Sequence, residues 1–142
     1  DAKVQDAIAA GAKCVAGGSK LSLGSHFYAP TLLIDVPTDA DIWKTETFGP
    51  VAAVRSFDTD EEAVEIANDS SVGLASYFLT KDLSRTFRVA KTLEAGLVGV
   101  NDGIISTCTA PFGGVKESGL GREGSTIGLQ EYVETKYVFI NY

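Results

Sequence analysis

Residues 51–101 of the chain read VAAVRSFDTDEEAVEIANDSSVGLASYFLTKDLSRTFRVAKTLEAGLVGVN. Three apolar runs in this stretch, at 51–57, 73–80 and 97–101, are rich in the residues that strands favour, and the first is expected to be a buried strand. Between them, residues 59–69 and 82–96 have helical spacing. The first helix begins at Thr59 or Asp60 with acids in its first turn, and the second ends at Gly96. This alternation predicts an α/β fold, with a largely parallel sheet and flanking helices.

The segments on either side extend this pattern. Residues 3–13 have helical spacing that stops at Gly11, and residues 13–18 and 27–36 resemble strands, with an edge or bend at Pro30. Residues 39–50 read as a short helix that enters a loop at Gly49 and Pro50. Residues 102–126 show no periodicity, which is typical of a functional loop. Residues 129–142 begin with a helical pattern and end in an apolar, β-rich strand.

Composition argues against several classes of protein. The chain has 142 residues, enough for one domain, and a net charge of −7, which disfavours nucleic acid as a partner. No apolar run approaches the ~18 residues that span a bilayer, and the first residues do not resemble a signal peptide. The two cysteines fit a reducing compartment, so we expect a cytoplasmic protein. Because the chain starts with Asp and contains no Met, we expect a piece of a longer polypeptide.

Residues 119–124, GLGREG, match the G-x-G-x-x-G pattern of dinucleotide-binding turns. Such a turn follows a strand directly and opens a helix, with an acid about 20 residues further on. Here the preceding residues, PFGGVKES, do not resemble a strand. The residues after Gly124 are too few for a second strand and its acid. We therefore do not expect this pattern to bind a nucleotide.

Several other motifs occur in a fixed order. In KTETFGPV, residues 44–51, an E-x-F-G-P signature is formed by Glu46, Phe48, Gly49 and Pro50. It is followed by NDSSVGLASYFLTKD at 68–82, by LVGVND, and then by PFGG-x-K-x-SGxGREG and GL-x-EY-x-E-x-K. In this combination the chain resembles the aldehyde dehydrogenase superfamily over essentially its whole length.

The resemblance implies a cofactor, NAD or NADP, and two residues that contact it. Glu46 would accept hydrogen bonds from the hydroxyls of the nicotinamide ribose, which suits a carboxylate because it is only an acceptor. Phe48 would pack beside the nicotinamide ring and restrict its position, on which hydride transfer depends. The alternative for Glu46 is a solvated carboxylate near a helix end.

The resemblance also implies substrate contacts in the long loop. It places Asn101 at the end of a catalytic-domain strand and Phe112 in the wall of the aldehyde tunnel. Within the superfamily, GIISTCTAPFGGVKESGLGREG at 103–124 is most similar to succinate-semialdehyde dehydrogenases. There the serine that matches Ser106 helps to bind the distal carboxylate of the substrate, together with arginines from elsewhere. The alternative is that Ser106 satisfies a loop amide. The stretch before Pro111, which reads TCTA in this chain, is one at which the relatives vary.

No catalytic residue is expected within the chain. The family nucleophile is a cysteine upstream of E-x-F-G-P, and neither its segment nor the general-base glutamate is present in this sequence. Cys108 is expected to be a loop or tunnel-lining thiol, because the single histidine, His26, is in a different loop. Cys14 is expected to be a small buried apolar residue. No pattern of metal ligands is present.

Together these features predict the C-terminal part of an NAD(P)-dependent aldehyde dehydrogenase, inactive alone, that oxidises succinate semialdehyde to succinate. Residues 1–135 would belong to the catalytic domain, and residues 136–142 would form an oligomerisation strand. The resemblance implies a homo-oligomer, a dimer or tetramer, assembled through that strand. Two alternatives stay open. One is a dehydrogenase for another aldehyde (aliphatic, betaine or aromatic), and the other is a non-catalytic binding or assembly module.

Overall fold

In the computed structural model, which describes residues 1–142, the chain forms two units, Asp1–Glu62 and Ala63–Tyr142. In the first unit, helix α1 (Ala2–Ala9) precedes strand β1 (Lys13–Ala16). Gly11, with φ of +110°, ends the helical turn as its position predicts. Strand β2 (Thr31–Ile34) follows, then the single turn α2 (Asp41–Lys44) and strand β3 (Val51–Ala53). The predicted elements of this part of the chain are therefore present.

The three strands form one sheet in the order β1-β2-β3. Strand β2 is antiparallel to β1 and parallel to β3, with Leu33 opposite Ala53. The core of the unit is where α1 and α2 meet this sheet, because Val4 and Ala7 from α1 are buried with Leu33 and Ile42. The parallel strands β2 and β3 are connected by the segment that contains α2, as expected for a helical crossover.

Two sequence expectations for this unit need correction. Residues 51–57 are not a buried strand, because β3 ends at Ala53, and Val54 and Phe57 are exposed. Cys14 is not buried either: it is exposed on β1, and its Sγ donates to the carbonyl of Ala16 at 3.3 Å. All four residues of β1, one of the two edge strands of the sheet, are exposed.

Helix α3 (Asp60–Asn68) starts in the first unit and continues into the second. The hydroxyl of Thr59 accepts the amide of Glu62 at 3.1 Å, and the Glu62 carboxylate accepts the amide of Asp58 at 2.8 Å. The two bonds satisfy one amide in the first turn of the helix and one amide just before it. They identify Thr59 as the capping residue.

The second unit contains strands β4 (Val72–Gly73) and β5 (Ala75–Phe78), helix α4 (Leu83–Thr92), strands β6 (Leu97–Val100) and β7 (Val115–Lys116), and a 3₁₀ helix, Ile127–Tyr132. Strands β5 and β6 are parallel and flank α4, and β4 pairs antiparallel with β7. Two of the four strand pairings in the chain are thus parallel, which agrees only in part with the largely parallel sheet that was predicted.

Helix α4 stops at Thr92, before the predicted end at Gly96. The side chain of Asn68 donates to the carbonyl of Thr92 at 2.9 Å and accepts the amide of Glu94 at 2.8 Å. The amide of Glu94 is therefore bonded to a side chain of α3 and not to α4. Local helical spacing could not indicate this tertiary contact.

The buried positions of the second unit are all glycines: Gly73, Gly99, Gly114 and Gly128. Several of its larger apolar side chains, such as Leu83 and Phe87, are exposed, and others, such as Phe78 and Leu97, are only partly buried. Residues 133–142 form neither helix nor strand, and all of them are exposed. The predicted terminal strand therefore has no pairing partner within the chain. None of the helices has the length and hydrophobicity needed to cross a membrane.

Candidate functional site

Glu46 and Phe48 lie in the segment between α2 and β3 of the first unit. The segment is anchored at its end, because Thr31 donates its amide to the carbonyl of Pro50 at 2.8 Å. The Glu46 carboxylate is exposed and makes no hydrogen bond or ion pair within the chain. The Phe48 ring is 94% exposed. An acceptor and an aromatic face are thus available together for a ligand.

The residue between them, Thr47, is half-buried, and its Oγ1 is enclosed without a hydrogen-bond partner. A shallow apolar hollow of about 540 Å³ starts at the next residue, Gly49. It is lined by residues 30–32 and 49–52 with Ala16. The segment therefore combines a free carboxylate and an exposed ring with adjacent apolar surface.

Ser106 and Phe112 lie in the long loop of the second unit. Ser106 is exposed, and its hydroxyl makes no hydrogen bond within the chain, so it satisfies no loop amide here. Phe112 is half-buried and pairs with Glu123 through two backbone bonds of 2.7 and 2.8 Å. It lines a cleft of about 350 Å³ together with Leu74, Arg122 and Tyr132, among others.

The G-x-G-x-x-G segment is bonded to the chain's own groups. The Arg122 guanidinium donates through Nη1 to the carbonyls of Gly114 and Gly121, both at 2.7 Å. Its backbone amide donates to Oε1 of Glu131 at 3.2 Å, so a carboxylate of the protein takes an amide that a phosphate would need. The segment follows the two-residue strand β7 and precedes a 3₁₀ helix, which is not the setting of a dinucleotide turn.

The paired glycines of PFGG allow this arrangement. A Cβ on Gly113 would come within 2.5 Å of the carbonyl oxygen of Gly121 and 2.8 Å of Cδ of Arg122. Gly121 itself has φ of +84°, and a Cβ there would contact the Glu131 carboxylate at 2.9 Å. The two parts of the loop therefore approach as closely as they do because glycines occupy both sides.

Sequence reasoning missed a group of residues centred on Lys116. Its Nζ donates to the carbonyls of Asn68 and Ser70 at 2.8 and 3.0 Å and pairs with the Glu94 carboxylate at 2.6 Å. One ammonium thus connects the end of α3, the segment after α4, and β7. The sequence marks this lysine only as part of the PFGG-x-K motif. Its three partners cannot be predicted from the motif, because they are distant in sequence.

Asn101 follows β6, as the resemblance implied, and has φ of +59°. Its side chain accepts the amide of Thr80 at 2.8 Å and donates to the carbonyl of Thr80 at 2.7 Å. These bonds continue the pairing of β5 and β6 beyond the last strand residue. Asn101 therefore fixes the point at which the loop leaves the sheet.

The remaining polar candidates are dispersed. Cys108 is exposed, and its carbonyl accepts the amide of Ser125 at 2.9 Å. His26 is exposed in the first unit. No group of three or more His, Cys, Asp or Glu side chains converges on a point that could hold a metal ion.

The family model described as "Aldehyde dehydrogenase family" matches residues 1–138. The chain is 54% identical over 136 residues to the mitochondrial succinate-semialdehyde dehydrogenase of Homo sapiens, covering 96% of this chain and 25% of that protein. It is 53% identical over 135 residues to the glutarate-semialdehyde dehydrogenase of Pseudomonas aeruginosa, covering 95% of this chain and 28% of that protein.

Solved structures agree with these relatives. An NADP-dependent enzyme of E. coli superposes with a TM-score of 0.93 at 50% identity, covering 96% of this chain and 28% of that chain. A succinate-semialdehyde dehydrogenase from Burkholderia pseudomallei superposes with a TM-score of 0.88 at 50% identity, covering 92% and 27%. The chain belongs to the aldehyde dehydrogenase family. It spans about a quarter of the length of the curated relatives that it matches.

Proposed function

We propose that the chain is the C-terminal segment of an NAD(P)-dependent dehydrogenase that oxidises succinate semialdehyde to succinate. The observation that carries the proposal is the match, over nearly the whole chain, to a semialdehyde dehydrogenase at 54% identity. The relatives from Pseudomonas aeruginosa and Homo sapiens are named for glutarate and succinate semialdehyde. Both of these aldehydes carry a distal carboxylate.

The first unit would supply one edge of the cofactor site. The exposed Glu46 carboxylate would accept hydrogen bonds from a vicinal diol, and the exposed Phe48 ring would limit the movement of a planar ring beside it. When bound, NAD or NADP supplies a hydride acceptor. Both side chains are available in the structure for these contacts, so the residues present fit the group.

The second unit would supply substrate contacts. The Ser106 hydroxyl is exposed and unbonded, so it can donate to a carboxylate that arginines outside this chain help to neutralise. The Phe112 ring would form part of the apolar wall beside the hydrocarbon chain of the aldehyde. Together they would favour an aldehyde with a distal carboxylate over a neutral one of similar length.

The chain would not complete the reaction alone. In the family reaction a thiolate attacks the aldehyde, a hydride leaves, and activated water releases the acid. In the proposed enzyme, segments outside this chain supply the nucleophile and the general base. The exposed apolar side chains of the second unit, Leu79, Leu83 and Phe87 among them, fit a surface that further parts of a longer polypeptide cover.

The test is to assay the full-length polypeptide and the 142-residue chain side by side. The full-length protein should oxidise succinate semialdehyde with NAD or NADP in preference to betaine, aromatic and neutral aliphatic aldehydes. The chain alone should show no turnover and no micromolar cofactor binding by titration calorimetry. Preference for another aldehyde would refute the substrate assignment. A parent polypeptide no longer than this chain would favour a non-catalytic assembly module instead.

A further inference from the structure

Helix α1 binds both ends of the single turn α2 in the first unit. At the start of α2, the carboxylate of Asp6 accepts the amide of Asp41 at 3.2 Å. Just beyond its end, the ammonium of Lys3 donates to the carbonyls of Thr45 and Glu46 at 3.2 and 2.8 Å. Lys3 and Asp6 are three residues apart, so they lie on the same face of α1.

These contacts match what a one-turn helix lacks. A helix this short leaves its first amides and last carbonyls without partners, and it has little stability of its own. Negative charge at the start and positive charge at the end also suit the direction of the peptide dipoles. Val4 and Ala7 of α1 are buried in one cluster with Ile42 of α2. This packing fixes the position of α1, from which the side chains of Lys3 and Asp6 extend.

The contact at Glu46 bears on the candidate site. Lys3 bonds the backbone of the same residue whose carboxylate faces solvent. The side chains of Thr45 and Asp41 do not reach Glu46, since the Thr45 hydroxyl bonds back to the carbonyl and carboxylate of Asp41, each at 3.0 Å. Among the side-chain hydrogen bonds of the first unit, Lys3 alone connects the Glu46 backbone to a packed element.

We propose that Lys3 is a positioning residue for cofactor binding, which orders the backbone at Thr45 and Glu46 so that the Glu46 carboxylate is held ready for the ribose. The inference rests on the proposed cofactor role of Glu46. An unordered segment would have to be fixed when the cofactor binds, and that cost appears as weaker binding. Because Lys3 does not touch the reacting groups, its loss should change the KM for the cofactor and leave the KM for the aldehyde as it is.

The experiment uses the full-length enzyme with Lys3→Met, Lys3→Arg and the control Lys20→Met, which removes the same charge from an exposed lysine of the first unit. Lys3→Met should raise the KM for NAD(P) about three- to tenfold, with the KM for the aldehyde unchanged. It should also speed hydrogen exchange at the amides of residues 43–45, which donate to the carbonyls of Ala40 and Asp41. Lys3→Arg keeps a long cationic donor and should restore most of the cofactor KM.

Three results would overturn the inference. In the first, Lys3→Met behaves like Lys20→Met in both measurements. In the second, both KM values rise together with a loss of thermal stability and Lys3→Arg rescues nothing, which describes a purely structural contact. In the third, the cofactor KM stays constant in Lys3→Met although Glu46→Gln raises it.

If the proposed cofactor role of Glu46 is wrong, the kinetic measurements give a different pattern. If Glu46→Gln itself leaves the cofactor KM unchanged, the proposed role of Glu46 is wrong. Hydrogen exchange at the bonded amides of residues 43–45 then reports alone on whether Lys3 orders the segment, and unchanged exchange in Lys3→Met rejects that ordering as well.

Discussion

At the scale of single residues, the side chains proposed to contact cofactor or substrate bind little else in the chain. Glu46 and Ser106 make no side-chain hydrogen bonds within it, and Phe48 is 94% exposed. The residues of the neighbouring motifs behave in the opposite way: Lys116 and Arg122 each bond two carbonyls. The motif residues are therefore of two kinds. Lys116 and Arg122 stabilise the backbone of the chain, whereas the side chains of Glu46, Phe48 and Ser106 are free to contact a ligand.

In the full-length enzyme, Glu46→Gln should slow hydride transfer more than it slows attack of the thiolate on the aldehyde. A charge-assisted hydrogen bond to the ribose would become a neutral one, at a cost of about 1–3 kcal/mol in cofactor placement. Single-turnover kinetics with deuterated aldehyde would separate the two steps. Unchanged turnover would show that Glu46 is only a solvated carboxylate.

Ser106→Ala should raise the KM for succinate semialdehyde and leave a neutral aldehyde of similar length almost unaffected. The hydroxyl donor matters only to a substrate that carries the distal carboxylate, and its loss should cost about 1–2 kcal/mol. Steady-state kinetics with the two aldehydes checks this. Ser125→Ala in the same loop is the control for a structural serine, because its hydroxyl accepts the amide of Ile127 at 3.1 Å. Equal effects on both aldehydes would mean that Ser106 shapes the loop.

At the scale of elements, helix α4 depends on its first residues. The Asp82 carboxylate accepts the amide of Arg85 at 3.0 Å through Oδ1. This backbone hydrogen bond is the main reason why the pKa of Asp82 lies below its ordinary value of 3.8. A carboxylate with a lowered pKa contributes stability above its unfolded-state pKa, and that contribution is lost as the pH falls through the folded-state pKa.

The capping contribution of Asp82 should therefore be complete at neutral pH and disappear in acid, below pH 3.8. Asp82→Asn retains an oxygen acceptor, so it should weaken the helix less than Asp82→Ala at neutral pH. The difference between wild type and Asp82→Asn should shrink on acidification. Thermal unfolding of the full-length protein at several pH values checks this, and a constant difference would contradict the assignment of the cap.

Local sequence signals located the starts of α3 and α4 but not the end of α4. The sequence indicated Thr59 or Asp60 as the first capping residue, and Asp82, which caps α4, is the first residue of the segment predicted to be helical. The early end of α4 depends on Asn68, which is distant in sequence from Thr92. Likewise, the motif predicted a loop containing Phe112, but the backbone pairing of Phe112 with Glu123 has no local signal in the sequence. Nothing in spacing or composition encodes these tertiary bonds.

At the scale of the whole molecule, the second unit presents a large apolar surface. Its last residues contribute Tyr137, Val138, Phe139, Ile140 and Tyr142, each at least 63% exposed. Side chains of this kind are rarely left in water without a partner. The resemblance to the family implies a segment here that crosses to a neighbouring subunit, so we propose that residues 136–142 extend a sheet there and that the parent is a dimer or tetramer.

Deleting residues 136–142 should reduce the assembly of the full-length protein, because in our proposal these residues pair with a neighbouring subunit. Light scattering should report a dimer or tetramer before the deletion and a smaller species after it. A substitution outside the tail, such as Lys20→Met, serves as the control. A parent that is monomeric at high concentration, with a tail protected from proteolysis, would show that the tail caps its own sheet.

The close approach of Gly113 to Gly121 restricts how this loop can change through evolution. Phe112 and Glu123 are paired through their backbones, so the number of residues between them is set by geometry. Insertions and deletions in descendants of this sequence should therefore fall within residues 102–109 and spare 113–121. A larger residue at position 113 should be tolerated only when a second substitution, at or near position 121, moves the backbone there away from it. A screen of random variants for retained activity would reveal this as paired substitutions, since neither change is tolerated without the other.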